Sequence, residues 1–165
     1  MKLKKHIDFI LMSLLENNDI KPDENGNIYY GVHEVVLTRD SKTIKVEAKF
    51  DTGAKSSSID FGVAEKLGLS KELIDKCKKL DHIDVPKSIT EEEQTKLEEK
   101  YTNDLKSEFP EITKVKISKS SSGFSARGYI EVNINYLDKN ILTEVNLRDR
   151  SGLSCEMIIG LKDIL

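Results

Sequence analysis

A mainly β fold in one domain, interrupted by a helical stretch, is what this chain of 165 residues predicts. Three observations carry that expectation. Two pairs of segments, 28–37 with 42–50 and 128–135 with 141–147, alternate apolar and polar residues with the period of half-buried strands. Short polar turns, Arg39-Asp40-Ser41 and Asp138-Lys139-Asn140, join the members of each pair, as hairpins require. Between the two pairs, residues 61–110 change to helical spacing and carry cap residues. The length suits a single domain over residues 1–165 with a sizeable core and is short for two.

Taken in order, Leu3, Ile7, Ile10, Leu11, Leu14 and Leu15 recur at helical spacing and predict an N-terminal amphipathic helix within residues 1–20. Its apolar stripe is expected to face its own domain, with a partner-binding or dimer-supporting role as the alternative. Pro22 and Gly26 mark a turn or linker before the first strand, which runs through Gly31 with a bulge expected there. Ile44, Val46, Ala48 and Phe50 then alternate with polar residues and deliver the chain to Asp51. A strand leaving that turn is expected around Ser56-Ser57-Ser58-Ile59.

The helical stretch divides in three. A short helix from Phe61 stops at Gly68, Ser70 caps a second through Leu80, and Thr90 with Glu93 three residues on is a capping-box pattern for a third. Leu97, Tyr101 and Leu105 give the third helix a narrow apolar stripe, its acidic residues form a solvated face, and Phe109-Pro110 ends it. Strand character resumes over Val115-Lys116-Ile117, followed by the small, flexible run Ser118 to Gly123. The second hairpin leads into a charged loop, Arg148-Asp149-Arg150-Ser151-Gly152, in which Asp149 and Arg150 are expected to pair locally. A strand over 155–159 and a short helix-like tail follow.

One stretch is chemically pointed. Asp51-Thr52-Gly53-Ala54 puts a carboxylate at the end of a strand, followed by a stiff hydroxyl residue and a glycine. Such a turn holds Asp51 rigidly, with the amides of the next residues available to its oxygens. A second signal lies near the C-terminal end, where Met157-Ile158-Ile159-Gly160 is an apolar strand ending in glycine. Together they resemble the half-site of the retropepsin-like aspartic proteases: an Asp-Thr-Gly-Ala turn plus a later apolar-apolar-Gly strand. The similarity is closest to the bacterial and phage branch of that superfamily known as ATP-dependent zinc proteases. Asp51-Thr52-Gly53-Ala54-Lys55-Ser56-Ser57 and Leu147-Arg148-Asp149-Arg150-Ser151-Gly152-Leu153 stand where that branch carries its motifs. The resemblance covers roughly Val35–Ile59 and Gly123–Leu165.

What the resemblance implies is specific. The fold would be a closed retropepsin-like (acid protease) β-barrel, with 61–110 as a helical insertion inside the domain. Asp51 would be catalytic, and Thr52, Gly53, Ala54 and Gly160 would shape the site, Gly160 by letting its strand pass close to the turn. Asp149 and Arg150 would support the neighbouring loop. Such proteases need two carboxylates sharing one proton across a water. One Asp-Thr-Gly supplies half of that machine, so the resemblance implies a homodimer in which each chain contributes Asp51, acting on a protein or peptide substrate. A flap counterpart would fall at Ser120–Ala126. The chain departs from the pattern in one respect: Leu161 follows Gly160 where the family carries arginine. That departure favours the alternative of a catalytically weak or inactive binding or assembly module on the same barrel. In a third reading Asp51 is a plain turn residue of an unrelated barrel.

Composition excludes other classes. Net charge is −3 with lysines and acids interspersed, which argues against nucleic-acid binding by bulk electrostatics. Cys77 and Cys155 give no disulfide framework, Cys155 reading as a small buried hydrophobe. His6, His33 and His82 are scattered, and no phosphate loop is present, so no metal, nucleotide or other cofactor is expected. No run approaches transmembrane length, and the Ile7–Leu15 stretch lacks a small-residue cleavage site. The expected location is the cytoplasm, or a host cytoplasm for a virus-encoded chain, with no membrane partner.

Overall fold

The computed structural model describes residues 31–120, 123–136 and 139–164. The helix expected within residues 1–20 lies outside them, as do the first residues of the 28–37 segment. Strands β1 (Gly31–Arg39) and β2 (Lys42–Asp51) form the first hairpin, with Val35 opposite Val46 and Leu37 opposite Ile44. Asp40, in its turn, adopts a left-handed φ of 52°, a conformation aspartate tolerates better than most residues. The short β3 (Ser58–Asp60) follows the Asp51 turn. Then come helices α1 (Phe61–Lys66), α2 (Lys71–Leu80) and α3 (Glu91–Glu108). Strands β4 (Ile112–Ser120), β5 (Gly123–Tyr136), β6 (Lys139–Arg148) and β7 (Met157–Gly160) complete the sheet before the one-turn α4 (Leu161–Ile164).

The sheet order β1-β2-β7-β3-β6-β5-β4, with β1 also pairing β5, closes six strands into a barrel and leaves β4 outside the ring as an extension of β5. Closure removes the exposed edges that an open sheet would present. The fold is thus mainly β, a closed six-stranded barrel with a few helices. Alternation on the strands fills the interior: Leu37, Phe50, Ile59, Ile134, Leu147, Met157 and Ile159 are fully buried. The Phe50 ring meets Tyr136 edge-on at 5.2 Å and His33 at 5.6 Å.

The helices follow their local signals. Asp60 caps α1 through Gly62 N at 2.9 Å, Ser70 caps α2 through Leu73 N at 3.2 Å, and Thr90 caps α3 through Glu93 N at 3.2 Å. Gly68, at φ +90°, supplies the left-handed residue that ends the first helical turn region. Val63, Leu67, Leu73, Ile74 and Cys77 join the barrel core, and the Leu97, Tyr101, Leu105 stripe of α3 packs against it. One expectation for α3 is corrected. Its acidic residues are not all solvated: Glu98 is buried, and its Oε2 accepts the Ile117 amide of β4 at 2.9 Å. At Val115 and Ile117 the outer edge of β4 thus hydrogen-bonds to side chains of the helix.

Candidate active site

The turn at Asp51 is built by its neighbours in sequence and by the far end of the chain. Asp51 Oδ1 accepts the Gly53 amide at 2.9 Å, and the Ala54 amide donates to the Asp51 carbonyl at 3.2 Å. Gly53 does not adopt a left-handed φ. Its value lies in space: a Cβ there would come within 3.1 Å of Asp51 Oδ1, a tight contact to which the carboxylate would have to give.

Strand β7 runs parallel to β2 with Gly160 opposite Asp51. Past that pair the chain stays against the turn, Leu161 N donating to Ala54 O at 2.8 Å and Lys162 N to Lys55 O at 3.2 Å. The approach is closest at Gly160. A Cβ there would sit 2.5 Å from the Ser56 carbonyl carbon, 2.6 Å from its oxygen and 2.8 Å from its nitrogen, all backbone atoms. No side chain fits, so the Asp51 turn and the Met157–Gly160 strand can be neighbours only because residue 160 is glycine.

A buried relay reinforces the junction. The Gly160 amide donates to Ser57 Oγ at 3.1 Å, Ser57 Oγ donates to Asp163 Oδ2 at 2.5 Å, and Thr143 Oγ1 donates to Asp163 Oδ1 at 2.6 Å. Asp163 is 5% exposed and both its oxygens are occupied, the condition under which a buried carboxylate is tolerated. Asn146 adds Nδ2 contacts to Ser57 O at 3.1 Å and Ser56 Oγ at 3.3 Å. Ser57 belongs to the motif that follows Asp51, but nothing local marks Asp163 or Asn146, whose partners arrive only by tertiary contact.

Asp149 and Arg150 do not pair with each other, contrary to expectation. Asp149 Oδ1 accepts Ser151 Oγ at 2.6 Å and Ser151 N at 2.9 Å, and these bonds hold its carboxyl below the usual range. Arg150 turns inward and is 4% exposed, its Nε donating to Cys155 O at 3.0 Å and Nη1 to Ser58 Oγ at 3.4 Å. Its amide donates to Asp60 Oδ1 at 2.7 Å, the carboxylate that also caps α1. Burial, with Arg148 nearby, lowers the Arg150 pKa from its ordinary value, and Cys155 and Asp60 oppose the shift. The residue ties the 149–155 loop to β3 and remains charged.

Thr52 and Ala54 are half-buried beside Asp51. The segment expected to serve as a flap, Ser120–Ala126, falls at the junction of β4 and β5, with residues 121–122 outside the described ones. Among the described residues no three His, Cys, Asp or Glu side chains are grouped to hold a metal ion, and no helix is long and apolar enough to cross a membrane. His33 lies against Phe50, and His82 lines a cleft beside the β4–β5 hairpin. Both cysteines are buried, and burial pushes the Cys77 thiol up to about 12, with Asp81 contributing.

No family model matches the chain, and no curated protein does. Among solved structures, the crystal structure of Lpg0085, a protein of unknown function (DUF785) from Legionella pneumophila subsp. pneumophila str. Philadelphia 1, is similar to it. The likeness covers 84% of this chain and 86% of that one, at 18% identity and a TM-score of 0.39. A likeness that distant says nothing about function.

Proposed function

We propose that the protein is an aspartic endopeptidase of the retropepsin-like kind, hydrolysing peptide bonds between two Asp51 carboxylates contributed by a homodimer. The observation that supports this reading is the packing of Gly160 against the Asp51 turn. Two motifs more than a hundred residues apart meet there at a distance only glycine permits, as the half-site of such an enzyme requires. Placed across a twofold axis, two such carboxylates about 3 Å apart cannot both ionise easily, so one holds a proton and the other does not. The ionised Asp51 takes a proton from water as the water attacks the peptide carbonyl. The protonated Asp51 donates to the carbonyl oxygen. Thr52 and Gly53 set the carboxylate's position, and Asp163 with Ser57 fixes the strand beneath it.

Cleavage of an unfolded protein substrate between pH 4 and 7 tests the reading. Wild type is expected to cut, and Asp51→Asn is expected to lose essentially all activity while keeping its fold and stability. Undiminished cleavage by Asp51→Asn would end the proposal. The second reading, a binding or assembly module with weak or no chemistry, is favoured by Leu161, an apolar residue where the family carries arginine. It predicts peptide binding with no Asp51-dependent cleavage.

A further inference from the structure

Ser56, just after the Asp51 turn, marks where one face of the β5–β6 ladder meets the site. Its Oγ lies 3.5 Å from Tyr129 Oη and accepts Asn146 Nδ2 at 3.3 Å, and Tyr129 and Asn146 are cross-strand partners. Side chains two residues apart along a strand share a face. One step away from the turn, about 7 Å along each strand, that face carries Arg127 on β5 and Arg148 on β6. Both are half-buried, and neither is in a salt bridge among the described residues. Arg127 Nε is buried with no hydrogen-bond partner. A guanidinium in that condition is costly unless something binds it.

The two arginines line a cleft of about 1160 Å³ between the β4–β5 hairpin and the segment after α2. Its walls supply apolar surface from Ile83, Val85 and Phe124, and two further cations, Lys87 and Lys119. Three carboxylates, Asp81, Asp84 and Asp149, also line it; Asp81 attracts Arg127 and Arg148 across the cleft without forming a salt bridge to either, and Asp149 is already satisfied by Ser151. Four cations against three carboxylates is too small an excess to hold a polyanion such as nucleic acid, but it suits one carboxylate entering on an apolar stem.

We propose that this cleft is a specificity subsite that takes the acidic side chain, Asp or Glu, of a bound peptide, its carboxylate held by the forks of Arg127 and Arg148. The proposal rests on the peptide-binding reading above and names the class of peptide that reading left open. The experiment separates the two, because it reads binding in a protein disabled for cleavage. Asp51→Asn protein is titrated with the blocked pentapeptide Ala-Ala-Glu-Ala-Ala and with its Gln counterpart, following the side-chain Nε–H resonances of Arg127 and Arg148 by NMR. The Glu peptide is expected to shift both resonances saturably and to bind at least about tenfold more tightly than the Gln peptide. Adding Arg148→Gln should remove that preference. Should Arg148→Gln fail to fold, Lys119→Gln should weaken the preference, and added salt should erode affinity for the Glu peptide alone. Equal affinities, unmoved arginine resonances, or tighter saturation of the same resonances by inorganic phosphate would each overturn the proposal. Loss of Asp51-dependent cleavage in the wild type would leave this binding result standing.

Discussion

Gly160 is the residue on which the site's geometry turns, since a methyl group there collides with three backbone atoms of Ser56 and not with any side chain that could swing away. Relief requires β7 or the turn itself to shift. Gly160→Ala is therefore expected to cost about 3 kcal/mol, at the upper end of overpacking penalties, and to show as a lowered urea midpoint with an unchanged slope. A variant as stable as wild type would mean that the turn and strand are not packed as described. Arg150 illustrates the limits of local reading. Its surroundings in sequence suggest a solvated charged loop, but its partners Asp60 and Ser58 come from about ninety residues earlier. Asp163 likewise meets Ser57 across 106 residues. Charge alone does not report burial when the compensating groups arrive by tertiary contact.

At the scale of elements, what is local was legible. Helix starts at Ser70 and Thr90 and the stop at Gly68 depend on a few consecutive residues, and all three fall where the sequence puts them. Strand ends were read too short: β4 begins at Ile112 and not Val115, and β5 at Gly123 and not Gly128. There the ladder with a neighbouring strand, not local apolar alternation, decides the conformation. The β7 strand starts later than expected, at Met157; the Cys155 carbonyl before it accepts the Arg150 side chain.

Two predictions belong to this scale. Glu98→Ala strips the Ile117 amide of its carboxylate partner and should destabilise the protein by about 2 kcal/mol in urea unfolding. Glu144 joins β6 to β4 by accepting a hydrogen bond from Thr113 Oγ1 and facing Lys114 Nζ at 3.4 Å; the Thr113 bond chiefly, then Lys114, hold its carboxyl below the usual range. A depressed folded value stabilises the protein above the unfolded pKa, and that stability is lost as pH falls through the folded value. Glu144→Gln should thus cost about 1 kcal/mol at neutral pH, after allowing for solvent screening. The deficit relative to wild type should shrink on acidification; a constant deficit across pH would show that Glu144 acts by shape and not by charge.

For the whole molecule, barrel closure and the packing of the Asp51 turn beside Gly160 leave each chain with one carboxylate where the proposed chemistry needs two. The pairing of distant strands that brings Gly160 beside the Asp51 turn, β2 alongside β7 in parallel, is invisible to sequence periodicity; only the resemblance gave reason to expect it. On the proposed mechanism a functional site takes Asp51 from two chains, and subunit mixing is its test: wild type and Asp51→Asn are unfolded together, refolded at constant total concentration, and assayed for cleavage as the wild-type fraction is varied. If the site is shared, activity should fall as the square of that fraction, because mixed dimers carry one Asp51 and are inactive. Activity falling in direct proportion to the wild-type fraction would contradict the claim and make each chain its own site.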